Sequence, residues 1–474
     1  MDGLDRAGGW LRRAEPLLLL GCAFLATLLL ARSFPIQSDE GYTLNAAWQL
    51  WTGMRMYDDF RVFVGPGSGF AVYAVWQLWG SPSFLAARLL SVALSFWGTT
   101  GFYLLLRRLG TRGVSLALGI GLWLSTSSLY VLLNHNPFSS SAAIWFLLAL
   151  VRAVQARQAG RDTPWHAVLV GAAAGAVFLF LPMKGGLLVS SAAATLFLIG
   201  RPRSLRPVLW LAVGFVPVIA PLFIAWSPIT LVQQWILIPL TGNYLGHTGA
   251  SRPFVIAAVA VTGMMGWAAV KRREPVLQAM TCAQAALFLG MAHNMEASHF
   301  AINAFPAIAF GAFALQRRAA RRSAGEIPAT ALIGAGVAAL LITTLATPGG
   351  ARYAEASVLR ADLLGQRPTP AIKDRIARAH AIYAGPFLPS VYYLLRKKNP
   401  FFVSETVVCN QDCQLHLVAQ LKEVKPELAF LYYDMITHLQ YPQTGPVDVY
   451  LREHYVPCPS SGIPVRAIDP SWCP

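Results

Sequence analysis

Apolar runs of about 17–23 residues recur along most of this 474-residue chain. A helix needs ~20 such residues to cross the hydrocarbon core of a bilayer, so this repetition constrains the fold more than any other feature. Charged residues are 13% of the total, against about 25% in soluble domains. The net charge of +16 would suit a nucleic-acid partner, but its placement does not. Basic residues fall in short clusters between the apolar runs: Arg12-Arg13, Arg107-Arg108 with Arg112, Arg152 with Arg157 and Arg161, Arg201 with Arg203 and Arg206, Lys271-Arg272-Arg273, and Arg317-Arg318 with Arg321-Arg322. Such loops are cytoplasmic by the positive-inside rule, and their partners are anionic lipid headgroups, not nucleic acid.

An N-terminus on the inside gives one consistent path. Spans are expected at 16–33, 84–106, 114–132, 138–152, 166–183, 186–200, 207–226, 254–270, 275–292, 300–315 and 327–346, about eleven in all. The first has no small-residue cleavage site after it and reads as a retained span. Every basic cluster then lies inside. Asp39, Glu40, Asp58, Asp59, Asn134, His135, His247, His293, Glu296 and His299 lie outside, with the C-terminal tail. The segment Gly69 to Gly80 is apolar but short, and counting it as a span would put the later arginine clusters outside. It is expected to be an interfacial helix, as is Leu44 to Trp51, both rich in tryptophan.

The composition changes near Pro348, which divides the chain into a membrane domain, 1–347, and a small extracytoplasmic α/β domain, 348–474. In the latter, His380 to Ala384 and Leu428 to Tyr433 are expected as buried strands, and Pro389 to Lys397 and Gln414 to Lys422 as helices. Four of the six cysteines, Cys409, Cys413, Cys458 and Cys473, sit in this tail. Two disulfides with three connectivities fit them, and the local pairs Cys409–Cys413 and Cys458–Cys473 are favoured. A four-cysteine zinc site is the alternative, although the spacing lacks paired C-x-x-C knuckles.

The candidate chemistry lies where polar groups are kept beside hydrocarbon, which is costly. Asp39 and Glu40 follow directly on the first apolar run, with Asp58-Asp59 further along the same loop. Lys184 follows the apolar run Ala172 to Met183 and precedes Gly185-Gly186, at the outer surface and against the charge rule. An ammonium beside glycine amides suits a phosphate; a lysine snorkelling to the interface is the other reading. Glu296 and His299 form an i, i+3 pair that would share a helix face. They can bind a metal or a phosphate, or simply cap a helix turn. His293 and the turn Asn134-His135-Asn136-Pro137 are weaker candidates, and the lone His247 and His166 weaker still. Arg61 is expected to pair locally with Asp58-Asp59, with phosphate contact as its other reading.

The stretch Ser38-Asp39-Glu40-Gly41-Tyr42, then Gly53, Tyr57-Asp58-Asp59-Phe60 and Gly65-Pro66-Gly67, resembles the first outer loop of membrane-embedded C-type glycosyltransferases. These are relatives of the protein O-mannosyltransferases and the lipid A aminoarabinose transferases. Lys184-Gly185-Gly186, Glu296-x-x-His299 and an outer C-terminal domain extend the resemblance. The chain departs from the family in lacking proline pairs near Gly65 to Gly69, in having Glu296 where relatives often have aspartate, and in its cysteine pattern. The resemblance implies transfer of a sugar from a polyprenyl-phosphate donor to a hydroxyl of a glycan, lipid or protein on the outer side of the membrane, bacterial inner membrane and periplasm included. It favours Asp39 as base, with Glu40 its neighbour or the base itself, and inversion at the anomeric carbon. Lys184, His299, Glu296, Asp58, Asp59, Arg61 and His135 become the residues that bind donor phosphate or substrate. No cofactor is required; a divalent metal can bridge Asp39, Glu40, Glu296 and His299 to the phosphate. A lipid or glycan transporter and a non-catalytic assembly subunit are the rival readings, though no internal repeat of the transporter kind is evident.

Overall fold

The computed structural model describes residues 15–17, 19–28, 38–62, 64–127, 133–199, 204–237, 251–292, 295, 297–319, 369–403, 406, 409–431, 443–461 and 465–474, without the side chains of Ser38, Asp39, Ile199, Arg318, Ala319 and Ser460. Helices occupy nearly all of the described part up to residue 319. They are α1 (Glu15–Leu28), α2 (Ser38–Trp51), α3 (Gly67–Trp79), α4 (Phe84–Arg108), α5 (Gly113–Ser127), α6 (His135–Gln158), α7 (Pro164–Phe180), α8 (Pro182–Ile199), α9 (Arg206–Ala225), α10 (Pro228–Val232), α11 (Arg252–Arg272), α12 (Pro275–Leu289), α13 (Ala297–Asn303) and α14 (Phe305–Ala319). Among the described residues four helices, α4, α6, α9 and α11, are each long and apolar enough to cross a membrane, and the bent pair α13–α14 adds a fifth. The shorter apolar helices α1, α5, α7, α8 and α12 pack beside them. Each expected segment from 16–33 to 300–315 therefore carries a helix. The segment 327–346 lies outside the described residues.

Two boundaries differ from expectation. The segments 166–183 and 186–200 meet earlier than their hydropathy suggests, because α7 ends at Phe180 and Pro182 starts α8. Proline fits a first helical turn, where its missing N–H would have no partner. Lys184 therefore lies inside the first turn of α8, not in a loop between two spans. The segment 300–315 is broken after Asn303, and α13 and α14 meet at 54°.

Close helix packing rests on small residues, as is usual where lipid removes the hydrophobic incentive to associate. The tightest crossing joins α7 to α9: Gly171 faces the carbonyl of Leu211, and Gly214 faces the carbonyl of Val168, too close for a β-carbon on either. The charges at one end of the bundle also interlock. Arg107 pairs with Glu15 at 3.5 Å, Arg108 donates to Gln155, the Arg112 amide donates to Gln316 (3.1 Å), and Arg317 pairs with Glu274 at 3.0 Å. These basic clusters thus share a single end.

At the other end sits the C-terminal part: α15 (Pro370–Arg378), β1 (Ile382–Gly385), α16 (Ser390–Leu394), α17 (Gln411–Val424), β2 (Leu428–Leu431), α18 (Pro446–His454), β3 (Val456–Pro457) and β4 (Val465–Ala467). The strands form one sheet in the order β1-β2-β4-β3, parallel between β1 and β2 (Ile382 opposite Leu428) and antiparallel elsewhere. Cys409 is bonded to Cys413, and Cys458 to Cys473. This unit shares a core with the first-loop helices: Leu44 and Trp76 pack with Ile382, Val391 and Tyr392. The Trp48 indole donates to the Lys397 carbonyl (2.8 Å), the Arg61 amide to the Phe402 carbonyl (2.8 Å), and Trp76 stacks on Tyr393.

Replacing Gly171 with valine should wedge α7 from α9 and cost about 1–3 kcal/mol, the usual penalty of overpacking. A thermal melt in detergent should show a midpoint several degrees below wild type. An unchanged midpoint would mean that this crossing is not a tight contact.

Candidate active site

Two buried charged groups organise the end of the bundle beneath the C-terminal unit. The first is Glu40, in the first turn of α2. Its carboxylate is fully buried and accepts from Arg88 Nε (2.5 Å) and Nη2 (2.6 Å). Arg88 enters from the first turns of α4 and is itself 4% exposed, with its guanidinium over the Phe84 ring. A bidentate, desolvated pair of this kind fixes two elements relative to each other. Both oxygens of Glu40 are thus engaged. Asp39 precedes it on the same helical turn, and its side chain lies outside the described atoms.

The second is Lys184, whose side chain is fully buried. Its ammonium donates to Ser139 Oγ (2.9 Å) and Ser140 Oγ (3.1 Å), both in the first turns of α6. The snorkelling reading therefore fails: the charge turns into the protein. Among the described residues Lys184 has no carboxylate partner and its third proton no acceptor. The start of α6 adds to this positive environment. Asn134 caps it by accepting from the Asn136 amide (2.9 Å), and the helix's partial positive charge lies at that end. Asn136 Nδ2 lies in hydrogen-bond contact with His299 Nε2 (3.1 Å). His135 lies within electrostatic reach of both Lys184 and His299. Lys184, Ser139, Ser140, Asn136, His299 and His135 thus form one buried cluster rich in N–H and O–H donors, at a helix N-terminus. This is the composition of an anion site, above all a phosphate site.

The remaining expected residues fall elsewhere. Arg61 does not pair with Asp58 and Asp59. Arg55 takes both, at 3.5 and 3.3 Å, and all three side chains are well exposed. Arg55 stands three and four residues before the two acids on the same turn, and its backbone N–H also donates to Asp59 (2.7 Å). That bond, then the guanidinium, holds the Asp59 carboxyl below its usual range. Arg61 is buried instead against the C-terminal unit, with Nη1 3.8 Å from Cys413 Sγ. Asp58, Asp59 and Arg61 are therefore not brought to the Lys184 cluster. His166 accepts in the capping box of α7 with Thr163. His293, Glu296 and His247 lie outside the described residues, so the Glu296–His299 pair is represented by His299 alone. Among the described residues no group of three or more His, Cys, Asp or Glu side chains is placed to hold a metal. The first loop is pinned to α9 and the π-helical turn Gln233–Leu237: Trp226 Nε1 donates to the Met56 carbonyl (2.9 Å) and Trp235 Nε1 to the Tyr57 hydroxyl (2.8 Å).

Sequence reasoning missed Arg88, Ser139, Ser140 and the role of Asn136. Arg88 was visible as a cation five residues into an apolar run. The Ser139-Ser140-Ser141 run directly follows the Asn134-His135-Asn136-Pro137 turn, but nothing in it says that a lysine two helices on will meet it.

This arrangement, a helical bundle whose first loop forms two helices packed against a C-terminal unit, recurs among solved structures. Solved structures that share it include ArnT from Cupriavidus metallidurans bound to undecaprenyl phosphate, at 15% identity over 99% of each chain with a TM-score of 0.60. The Archaeoglobus fulgidus oligosaccharyltransferase tethered to an acceptor peptide with the NVT sequon matches at 12% identity, over 98% of this chain and 75% of that one, with a TM-score of 0.55. The AglB oligosaccharyltransferase of the same organism, in complex with an inhibitory peptide and a dolichol-phosphate, gives 11% identity and a TM-score of 0.53, with 97% and 75% covered. No family model matches the sequence, and no curated protein matches it. The likeness is one of fold; the multi-pass membrane character is read from the chain's own four or five described helices that are long and apolar enough to cross a membrane.

Replacing Glu40 with glutamine should leave the Arg88 charge buried without its carboxylate and cost about 3 kcal/mol or more. The double variant Glu40→Met, Arg88→Met should recover most of that loss in a melting experiment. Equal stability of wild type and the single variant would show that the pair does not hold α2 to α4.

Proposed function

We propose that this protein is an integral membrane glycosyltransferase that moves a sugar from a polyprenyl-phosphate carrier to an acceptor hydroxyl, on the side of the membrane opposite its basic loops. The observation that carries the reading is the buried Lys184 ammonium, with a proton to spare, set against the N-terminus of α6 beside His299. The polyprenyl phosphate bound by ArnT and the dolichol-phosphate bound by AglB are the kind of ligand such a site would take.

In this reading the donor's phosphate enters the cluster while its prenyl tail stays in the lipid. Lys184, Asn136 and His299 bind the phosphate, and the two serine hydroxyls hold Lys184 in place. The acceptor oxygen attacks the anomeric carbon as the bond from that carbon to the phosphate oxygen breaks. Charge building on the departing phosphate is met by the ammonium and the helix N-terminus, so the leaving group needs a cation more than a general acid. The acceptor proton passes to a carboxylate, which also supports the developing oxocarbenium ion. Asp39 is that base. Glu40 is committed to Arg88, and neighbouring positions on a helix leave the axis about 100° apart, so Asp39 need not share that pocket. One displacement opposite the leaving group inverts the anomeric centre. A divalent metal is compatible with this chemistry, but no step calls for one.

Transfer from a labelled polyprenyl-phosphate sugar, assayed with glycan, lipid and protein acceptors, tests the assignment. Asp39→Asn should lower kcat about 10²–10⁴-fold with little change in the KM for donor. Lys184→Ala should lower kcat and also raise that KM, because the ammonium both binds the phosphate and meets the charge that builds as it departs. Full activity of Asp39→Asn would remove Asp39 as base. A wild-type protein that moves the intact carrier across vesicles without transferring sugar would make it a transporter.

A further inference from the structure

The break between α13 and α14 is held open by a side chain from another helix. Gln284, on α12, is fully buried. Its Nε2 donates to the Asn303 carbonyl (2.9 Å), and its Oε1 accepts from the Ala307 amide (3.0 Å). In an unbroken helix those two backbone groups would bond to each other, because the N–H of residue i pairs with the carbonyl of i−4. Gln284 has inserted its amide into that one rung and satisfied both ends. The next rung is regular, with the Ile308 amide donating to the Ala304 carbonyl (3.0 Å). Pro306 explains why the helix opens here: it has no N–H for the Ile302 carbonyl, and its ring crowds the preceding turn. Proline alone kinks a helix; an inserted side chain fixes where the kink goes.

The direction matters because of what α13 carries. His299 lies one turn before the break, and its backbone carbonyl also accepts from Asn303 Nδ2 (2.8 Å). The 54° bend brings its ring to Asn136 at the start of α6. The helix that supplies Gln284 reaches the other phosphate ligand as well. Gly290, just past the end of α12, lies against the Lys184 backbone, where a β-carbon would sit 3.2 Å from Lys184 Cα. A single helix therefore abuts Lys184 and sets the angle of the segment that bears His299.

We infer that Gln284 is a positioning residue of the anion site: by splinting the α13–α14 break it aims His299 at the donor phosphate, without touching that phosphate itself. This rests on the reading of the Lys184 cluster as a phosphate site. With leucine in its place the Ala307 amide and the Asn303 carbonyl lose their partner, the pair closes towards direct bonding, and α13 swings His299 away from Asn136.

The test is a double-mutant cycle on the binding of undecaprenyl phosphate to the full-length protein in detergent, with undecaprenol as the phosphate-free control. His299→Ala should weaken the phosphate-dependent affinity about tenfold, the worth of one hydrogen bond to a charged group. Gln284→Leu should weaken it by a similar factor. The two together should lose about tenfold, not a hundredfold, because one acts through the other. Gln284→Glu, whose buried acid stays protonated at about pH 6, can make both backbone bonds and should bind within about twofold of wild type. It also serves if Gln284→Leu fails to fold. A multiplicative loss in the double variant, or unchanged binding by Gln284→Leu, would overturn the positioning role. So would loss of binding in a well-folded Gln284→Glu. Equal binding by wild type and His299→Ala would overturn the phosphate site itself, and this role with it.

Discussion

A positive charge taken out of water must be solvated by something else, and at Lys184 the protein supplies only part of what is needed. Two neutral hydroxyls orient the ammonium but do not neutralise it, and the partial positive charge of the α6 N-terminus adds to the cost. Burying it this way is costly unless an anion completes the arrangement. The surrounding architecture can be understood as what keeps that incomplete site in shape. The first turn of α8 presents the lysine, the first turns of α6 present the serines, and the broken span presents His299. The three elements meet because their ends, not their middles, converge.

The same end of the bundle contains a second burial that is complete. Glu40 and Arg88 satisfy each other, so they tie α2 to α4 and ask for no ligand. The contrast separates structure from function. A closed pair is a fastener, whereas a buried cation left with a spare donor is what the proposed binding site rests on. The C-terminal unit is held to the first loop through Trp48, Trp76 and the Arg61 backbone. Within the stretch Asp39 to Tyr42, Gly41 lies directly against Ser390 of the C-terminal unit.

Much of this was legible in the sequence, for definite physical reasons. Apolar length placed the helices, since a helix satisfies its own backbone groups in lipid and runs of ~20 apolar residues are long enough to cross as one. Short apolar runs flanked by charge located β1 and β2 within a residue or two, and local spacing gave both disulfide pairs. Lys184 stood out because a lone cation beside hydrocarbon is expensive. What escaped depended on three-dimensional meeting. Arg55, not Arg61, takes Asp58 and Asp59, a choice set by the turn that buries Arg61. Ser139 and Ser140 read as ordinary small polar residues until Lys184 arrives from another helix. Pro306 marks a kink in the sequence, but its direction depends on Gln284, a polar residue in the middle of an apolar run with no local reason to be there.

The central claim is that the Lys184 cluster receives the carrier's phosphate. A cryo-EM structure of the protein with undecaprenyl phosphate tests it most directly. The account predicts density for the phosphate at the N-terminus of α6, with an oxygen about 2.7–2.9 Å from Lys184 Nζ, as a charge-assisted hydrogen bond requires. Phosphate bound elsewhere, with the Lys184 cluster unchanged and empty, would contradict it.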